Sequence, residues 1–278
     1  MVQKHKLASS ILSYTMLVLV SIIFIYPLFF LLANSLRPYI SKTPVLFFTE
    51  FHFENYYFAV AMIPFFQYLM NTIKMVLITI IGTLTFDFLF GYAFARLRAP
   101  GKNLIFKLVL LQLMIPGIAI QIPQFVFYNQ LGIMNSYWVF ILNAVAGGAY
   151  TIFLVKQFLT SFPLEIEEAA KIDGCSRVGI IFRIFVPLSK PLLGLLFFNG
   201  FNASWNDFMG PQMYLTAEKY PLATALFGNV YFLPNKPEVT LEPLTMAACV
   251  LFTIPVVVVF FILQKYLVQG IVTTGIKG

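Results

Sequence analysis

Charge is what this sequence has least of. Only 10% of its 278 residues are Asp, Glu, Lys or Arg, while 60% are hydrophobic and 17% aromatic, and the mean hydropathy is +0.86. A soluble domain mixes apolar and polar residues about evenly and cannot hide so much apolar surface. Cysteine and histidine are nearly absent too. Cys175 lies beside a charged stretch and Cys249 far away inside an apolar run, which argues against a disulfide or metal framework. His5 and His52 have no ligand-like neighbours in the sequence. The Walker A pattern, G-x-x-x-x-G-K-[ST], is missing: the Gly101-Lys102 pair lacks the earlier glycine and the hydroxyl residue. ATP hydrolysis, if the function needs it, is expected in another protein. The formal charge of +7 comes without a basic run or an aromatic-basic platform, which leaves nucleic acid out as a partner.

Long apolar runs are what is present. Hydrocarbon about 30 Å thick takes roughly 20 mainly apolar residues per helix. Six runs of that order stand at about Ile11–Leu32, Tyr68–Ala95, Leu104–Phe125, Tyr137–Gln157, Leu188–Met209 and Leu244–Tyr266. They are continuous, unlike the alternating segments of a β-barrel. The expectation is an all-α membrane protein with six transmembrane helices. The first run follows a basic start, "MVQKHK", but continues to about Leu36 without a small-residue cleavage pattern, and is read as a retained span.

An even number of spans puts both termini on one side. With the termini cytoplasmic, 13 Lys and Arg fall inside and 4 outside, with Lys74 within a span, and the positive-inside rule selects that orientation. The two long outside loops, residues 37–66 and 210–243, are aromatic and proline-rich. Anchoring in the aromatic belt and docking of an external partner both fit them.

One stretch, "EIEEAAKIDGCSRVGIIFRIFVP" from Glu165 to Pro187, gathers seven charges into this apolar chain. Pro163 suits the first turn of a helix, and Glu165, Glu167 and Glu168 then sit near the positive end of its dipole. Gly174 reads as the stop. Ala169 and Ala170 leave a low profile for a close approach, and a second helix follows, interrupted by Arg177 and Arg183 and ended or kinked by Pro187. A helix, a break and a second helix read as a cytoplasmic knob for a partner.

Glu168-Ala169-Ala170, Gly174, Ile184 and Pro187 at these separations resemble the signature of importer-type ABC transporter membrane subunits. That signature ends in Ile-x-Leu-Pro, and here Val186 takes the place of the leucine. The segments "NTIKMVL", "GYAFARLRAPGK", "LMIPGIAIQIP", "SWNDFMGP" and "GIVTTGIKG" extend the resemblance, to carbohydrate permeases of the maltose type, over almost the whole chain. It implies the type I importer fold in the cytoplasmic membrane of a bacterium or archaeon, and a non-enzymatic permease subunit. The implied partners are a second homologous permease subunit, two cytoplasmic ATPase subunits that use ATP and magnesium, and an extracytoplasmic sugar-binding protein, with membrane lipid around the spans. This chain itself would carry no cofactor and no metal. By the same resemblance the knob is a coupling helix near 163–174, with Glu168, Ala169, Ala170, Asp173 and Gly174 at the ATPase and Ile184 and Pro187 anchoring the return. Gly275–Gly278 is a further candidate contact. The division follows: a first span with its loop over 1–66, the transmembrane domain over 67–264, and a cytoplasmic tail over 265–278.

Asn199, Asn202 and Asn206 fall at i, i+3 and i+7, one stripe of the fifth span. Polar stripes in a bilayer face protein or water. Helix–helix hydrogen bonding and the lining of a sugar pathway both account for it, and Trp205 and Asp207 would supply a pathway with an aromatic face and a carboxylate. Lys74 and Asp87 each cost about 2.5–3.5 kcal/mol at a helix centre. Thirteen positions apart, they cannot pair with each other. Lys74 is expected to snorkel and Asp87 to pair at a subunit interface. An ion-driven secondary carrier using these two residues is the alternative function, whereas an intramembrane protease lacks any histidine in its spans.

Overall fold

In a computed structural model, the backbone is described for residues 2–228, 231–233 and 236–275, and side chains for 10–228, 231–232 and 240–267. The elements are α1 (Val2–Ser35), α2 (Glu54–Ala61) and α3 (Phe65–Gly82), which a π turn (Thr83–Asp87) joins to α4 (Phe88–Arg96). Then come α5 (Lys102–Leu111), α6 (Gly117–Gln130), α7 (Trp138–Ala146) and α8 (Ala149–Thr160). After α9 (Glu165–Ile172) and α10 (Arg177–Ile180), a second π turn (Ile181–Phe185) leads into α11 (Val186–Leu188), α12 (Lys190–Trp205), α13 (Met209–Tyr214) and α14 (Leu222–Phe227). An antiparallel ribbon, β1 (Phe232–Leu233) with β2 (Lys236–Thr240), precedes α15 (Glu242–Gly275). The fold is helical as expected, with this ribbon as the addition.

Among the described residues, four segments are long and apolar enough to cross a membrane: Ser10–Ser35, Phe65–Arg96, Trp138–Thr160 and Glu242–Leu267. The third and fifth expected spans fall on bent pairs, with 104° between Lys102–Met114 and Gly117–Gln130, and 83° between Arg177–Leu188 and Lys190–Trp205, and with each pair taken as one span the total is six. Pro116 explains the first bend. Its ring pushes Ile115 out of the helical region, to φ −89° and ψ 119°. The second bend falls at Ser189, just after Pro187, and α12 begins anew at Lys190-Pro191.

The chain forms two compact units. One joins residues 1–66 with 226–255. Here polar side chains organise the loop after α1: Asn34 donates to the Val45 carbonyl at 2.9 Å and accepts from its N–H at 3.0 Å, and Asn55 donates to the Ser35 and Arg37 carbonyls. Arg37 is buried, donates to the carbonyls of Asn34 and Thr43, and lies 3.6 Å from the Glu242 carboxylate at the start of α15. The His52 ring nitrogens meet Glu54 at 2.6 Å and Glu50 at 2.8 Å, the carboxylates that flank it two positions away on either side.

The other unit joins 67–225 with 256–278. Its core packs Phe88 and Tyr92 of α4, Val155 and Leu159 of α8, Ala170 of α9, Phe185 of the second π turn and Leu196 of α12. Small residues set the spacing: a Cβ added at Gly91 would stand 2.4 Å from the Val155 side chain, so α4 and α8 cross at a distance only glycine permits. Away from that core, Asn71 donates to the carbonyls of Glu218 and Tyr220, and Thr72 accepts from the Leu222 N–H. The "NT" of "NTIKMVL" is thereby a strap for the loop after α13.

Two outcomes follow from this packing. Gly91→Ala is expected to lower stability by about 2 kcal/mol, read as earlier thermal unfolding of the purified protein. The bonds to Glu54 and then Glu50 raise the His52 pKa above its ordinary 6.5. The imidazolium therefore contributes fully below that ordinary value, and the contribution is lost as the pH rises through the raised one. In an NMR titration the His52 midpoint should fall toward 6.5 in Glu54→Gln; an unmoved midpoint refutes the pairing.

Candidate functional site

Two regions bring the sequence's polar residues together. The first is α9. Three glutamates occupy its first turn, where the dipole favours them. The helix begins at Glu165, so Pro163 lies just before it and not within its first turn. Gly174 ends it at φ +78°, with its N–H on the Lys171 carbonyl at 3.1 Å and the Cys175 N–H on Ala170 at 2.9 Å. That pair of bonds is a Schellman cap, and it needs a left-handed residue at Gly174. Ser176 then caps α10 by accepting from the Gly179 N–H.

The helix has two faces. Glu167 (6% exposed) and Ala170 (7%) point into the unit, with Glu167 paired to Lys171 at 2.9 Å. Glu168, Ala169, Asp173 and Gly174 are exposed. Only one of the two expected contact alanines therefore faces outward; Ala170 belongs to the core of its own chain. Ile184 packs against that core from the second π turn, and Pro187 is exposed on α11. Ile172, at the end of α9, is 86% exposed. Its solvation is unexplained by the chain's own packing. Residues 276–278 of the expected tail contact lie outside the described residues.

The second region is a cavity of about 440 Å³. Thr79, Thr83 and Asp87 line it from α3 and the first π turn, Asn143 from α7, Gly148 and Thr151 from the start of α8, Asn199 and Ser204 from α12, with Asp207 beyond it. Phe140 and Tyr150 add aromatic walls. The buried Ser204 hydroxyl has no hydrogen-bond partner among the described residues. Of the residues expected to line a pathway, Asn199 and Asp207 line this cavity. The others do not: Trp205 is buried and stacks on Phe201 with centroids 5.2 Å apart, and Asn206 caps the end of α12, bonding the Asn202 carbonyl.

Asp87 organises this cavity. The fourth span breaks at Gly147-Gly148, and the Gly148 N–H, freed at the start of α8, donates to Asp87 Oδ1 at 2.9 Å. Thr151 Oγ1 donates to Oδ2. A carboxylate here caps a helix of another span and meets the positive end of its dipole. Gly147 (φ +80°) is required twice over, because a Cβ there would also stand 2.8 Å from Asp87 Oδ1. The expected partner at a subunit interface is thus replaced by partners within the chain. Lys74 is exposed and, among the described residues, makes no ion pair with Asp87. A signal was present: Met75, Thr79, Thr83 and Asp87 recur every four positions, facing the glycine pair that breaks the fourth span.

Residues 87–273 match the family described as binding-protein-dependent transport system inner membrane component. The chain belongs to this family. It is accordingly a multi-pass inner-membrane permease subunit of an ABC importer, which works with an ATPase and a binding protein. Among its relatives, the galactooligosaccharides transport system permease protein GanQ of Bacillus subtilis is 33% identical over 276 residues, covering 96% of this chain and 95% of that one. The arabinooligosaccharides transport system permease protein AraQ of the same organism is 29% identical, covering 94% and 93%. A crystal structure of a bacterial ABC transporter that imports the acidic polysaccharide alginate superposes with a TM-score of 0.82 at 21% identity, covering 94% of this chain and 96% of that one. The importer permease fold is therefore shared.

Replacing Asp87 separates capping from charge. Asp87→Leu strands the Gly148 N–H and is expected to cost about 2–3 kcal/mol, whereas Asp87→Asn, which keeps an acceptor, should unfold close to the unchanged protein in a thermal melt.

Proposed function

We propose that this permease subunit carries a hydroxyl-rich oligosaccharide through the cavity below Gly148, with α9 as the coupling helix on the cytoplasmic side. The cavity lining carries the reading. Hydroxyls, two amides and two carboxylates with two aromatic rings are the groups that bind sugars, and a polar surface among membrane helices marks a route. The names of the two Bacillus relatives support oligosaccharide as the class.

On this reading both termini are cytoplasmic and α9 lies against an ATPase subunit, with Glu168, Ala169, Ile172 and Asp173 at the contact and Gly174 fixing its end. A second, homologous permease completes the route, two ATPase subunits hydrolyse ATP with magnesium, and a sugar-binding protein delivers substrate from outside. Ile172, exposed beside Glu168, Ala169 and Asp173, gives that contact an apolar side chain to bury. A rigid docked helix passes the ATPase's closure on as a rocking of the spans joined to it. The ion-driven carrier is left without support. Asp87 is engaged as a cap and Lys74 stands at the surface.

Uptake of labelled oligosaccharide by the reconstituted complex tests both parts. Asn199→Leu should raise KM about tenfold in a complex that assembles normally, and an unchanged KM counts against the cavity as the route. Gly174→Pro or Glu168→Lys should abolish uptake while the subunit stays in the membrane; normal uptake would sink the coupling role.

A further inference from the structure

We propose that Arg96 is the positioning residue that makes α9 and the membrane helices move as one piece, an inference that rests on α9 being the coupling helix. Arg96 is the last residue of α4. Its Nη2 donates to the carbonyls of Leu159 at 2.6 Å and Phe162 at 2.8 Å. The first belongs to the last turn of α8 and the second to the segment that leads into α9, so the cation sits at the negative end of a helix dipole. The same guanidinium lies 5.1 Å from the ring centroid of Phe185. Phe185 closes the π turn through which the chain returns from α9, and its buried ring also packs on Tyr92 of α4 and on Phe162.

One side chain therefore grips both the segment that enters α9 and the segment that leaves it. The arrangement needs this residue type. One nitrogen, Nη2, serves both carbonyls while the flat guanidinium lies over the Phe185 ring, a stacked contact that a compact lysine ammonium does not reproduce. Beside the grip, Arg96, Glu167, Glu168 and Arg177 line a groove of about 560 Å³ between the end of α4 and α9. Contact across that groove is incomplete, so the grip on the two roots of α9 adds to what the packing of Ala170 and Glu167 supplies.

The test uses the assembled transporter in nanodiscs, with spin labels at Glu165→Cys, exposed on α9 away from the contact residues, and Asn103→Cys in a Cys175→Ser, Cys249→Ala background. Arg96→Met is expected to broaden the distance distribution between α9 and α5, and to lower sugar imported per ATP about tenfold while ATP hydrolysis persists. Arg96→Lys should fall between, keeping a charged donor for the carbonyls but losing the guanidinium stacked on Phe185. An unchanged distribution in Arg96→Met overturns the proposal, as does a fall of import and hydrolysis in equal proportion, which marks a merely structural residue. If Arg96→Met does not accumulate, Arg96→Lys decides alone, and an unaltered distribution and ratio overturn the proposal. If the unsubstituted complex hydrolyses ATP without moving sugar, the transport reading fails, and the spin-label comparison still decides whether Arg96 positions α9.

Discussion

A backbone group freed inside hydrocarbon must find a partner, and the break at Gly147-Gly148 obeys that constraint through Asp87. Hydrocarbon offers an N–H no partner, and leaving it unpaired costs several kcal/mol. The carboxylate brought by the second span meets it. From that bond follow the joining of two spans around α12, the burial of an acid at 2% exposure, and the polar floor of the cavity. The bond that keeps a broken helix in the membrane also makes its surroundings hospitable to hydroxyl groups.

The same economy appears at α9. Its inward face is merged with the core through Ala170 and Glu167, while its outward face offers short and acidic side chains around an exposed isoleucine. A helix so divided is held firmly on one side and open on the other, which is what transmission of a push requires. Close crossings such as Gly91 on Val155 stiffen what lies behind it. Interfaces packed to this density pass a displacement on as a rigid-body shift.

Much of this was legible in the sequence. Apolar run length fixed the spans, because hydrocarbon thickness sets helix length whatever the tertiary contacts. Gly174 was legible as a stop, since few other residues adopt a left-handed cap. The Arg177–Pro187 segment was read as a helix, but its π turn escaped: an extra residue in a turn leaves periodicity almost unchanged. The bend at Pro116 was hidden in the same way, inside a run of suitable length. The asparagine stripe misled because α12 ends at Trp205, before the stripe does. Asp87 was visible as an oddity, but its partner lies 61 residues on, across a glycine pair whose purpose appears only when the spans are side by side.

The first π turn has a consequence for this cavity that concerns angle and not contact. An α-helix turns about 100° per residue, so positions four apart creep roughly 40° around the axis and eight apart roughly 80°. Thr79 and Asp87, on a regular helix, would look in directions nearly at right angles. The wider turn over Thr83–Asp87 takes up residues with less rotation, and swings Asp87 back into line with the threonines. The polar row is thus a matter of winding as much as of composition, and a single residue's worth of slack in the coil aims three side chains at one space.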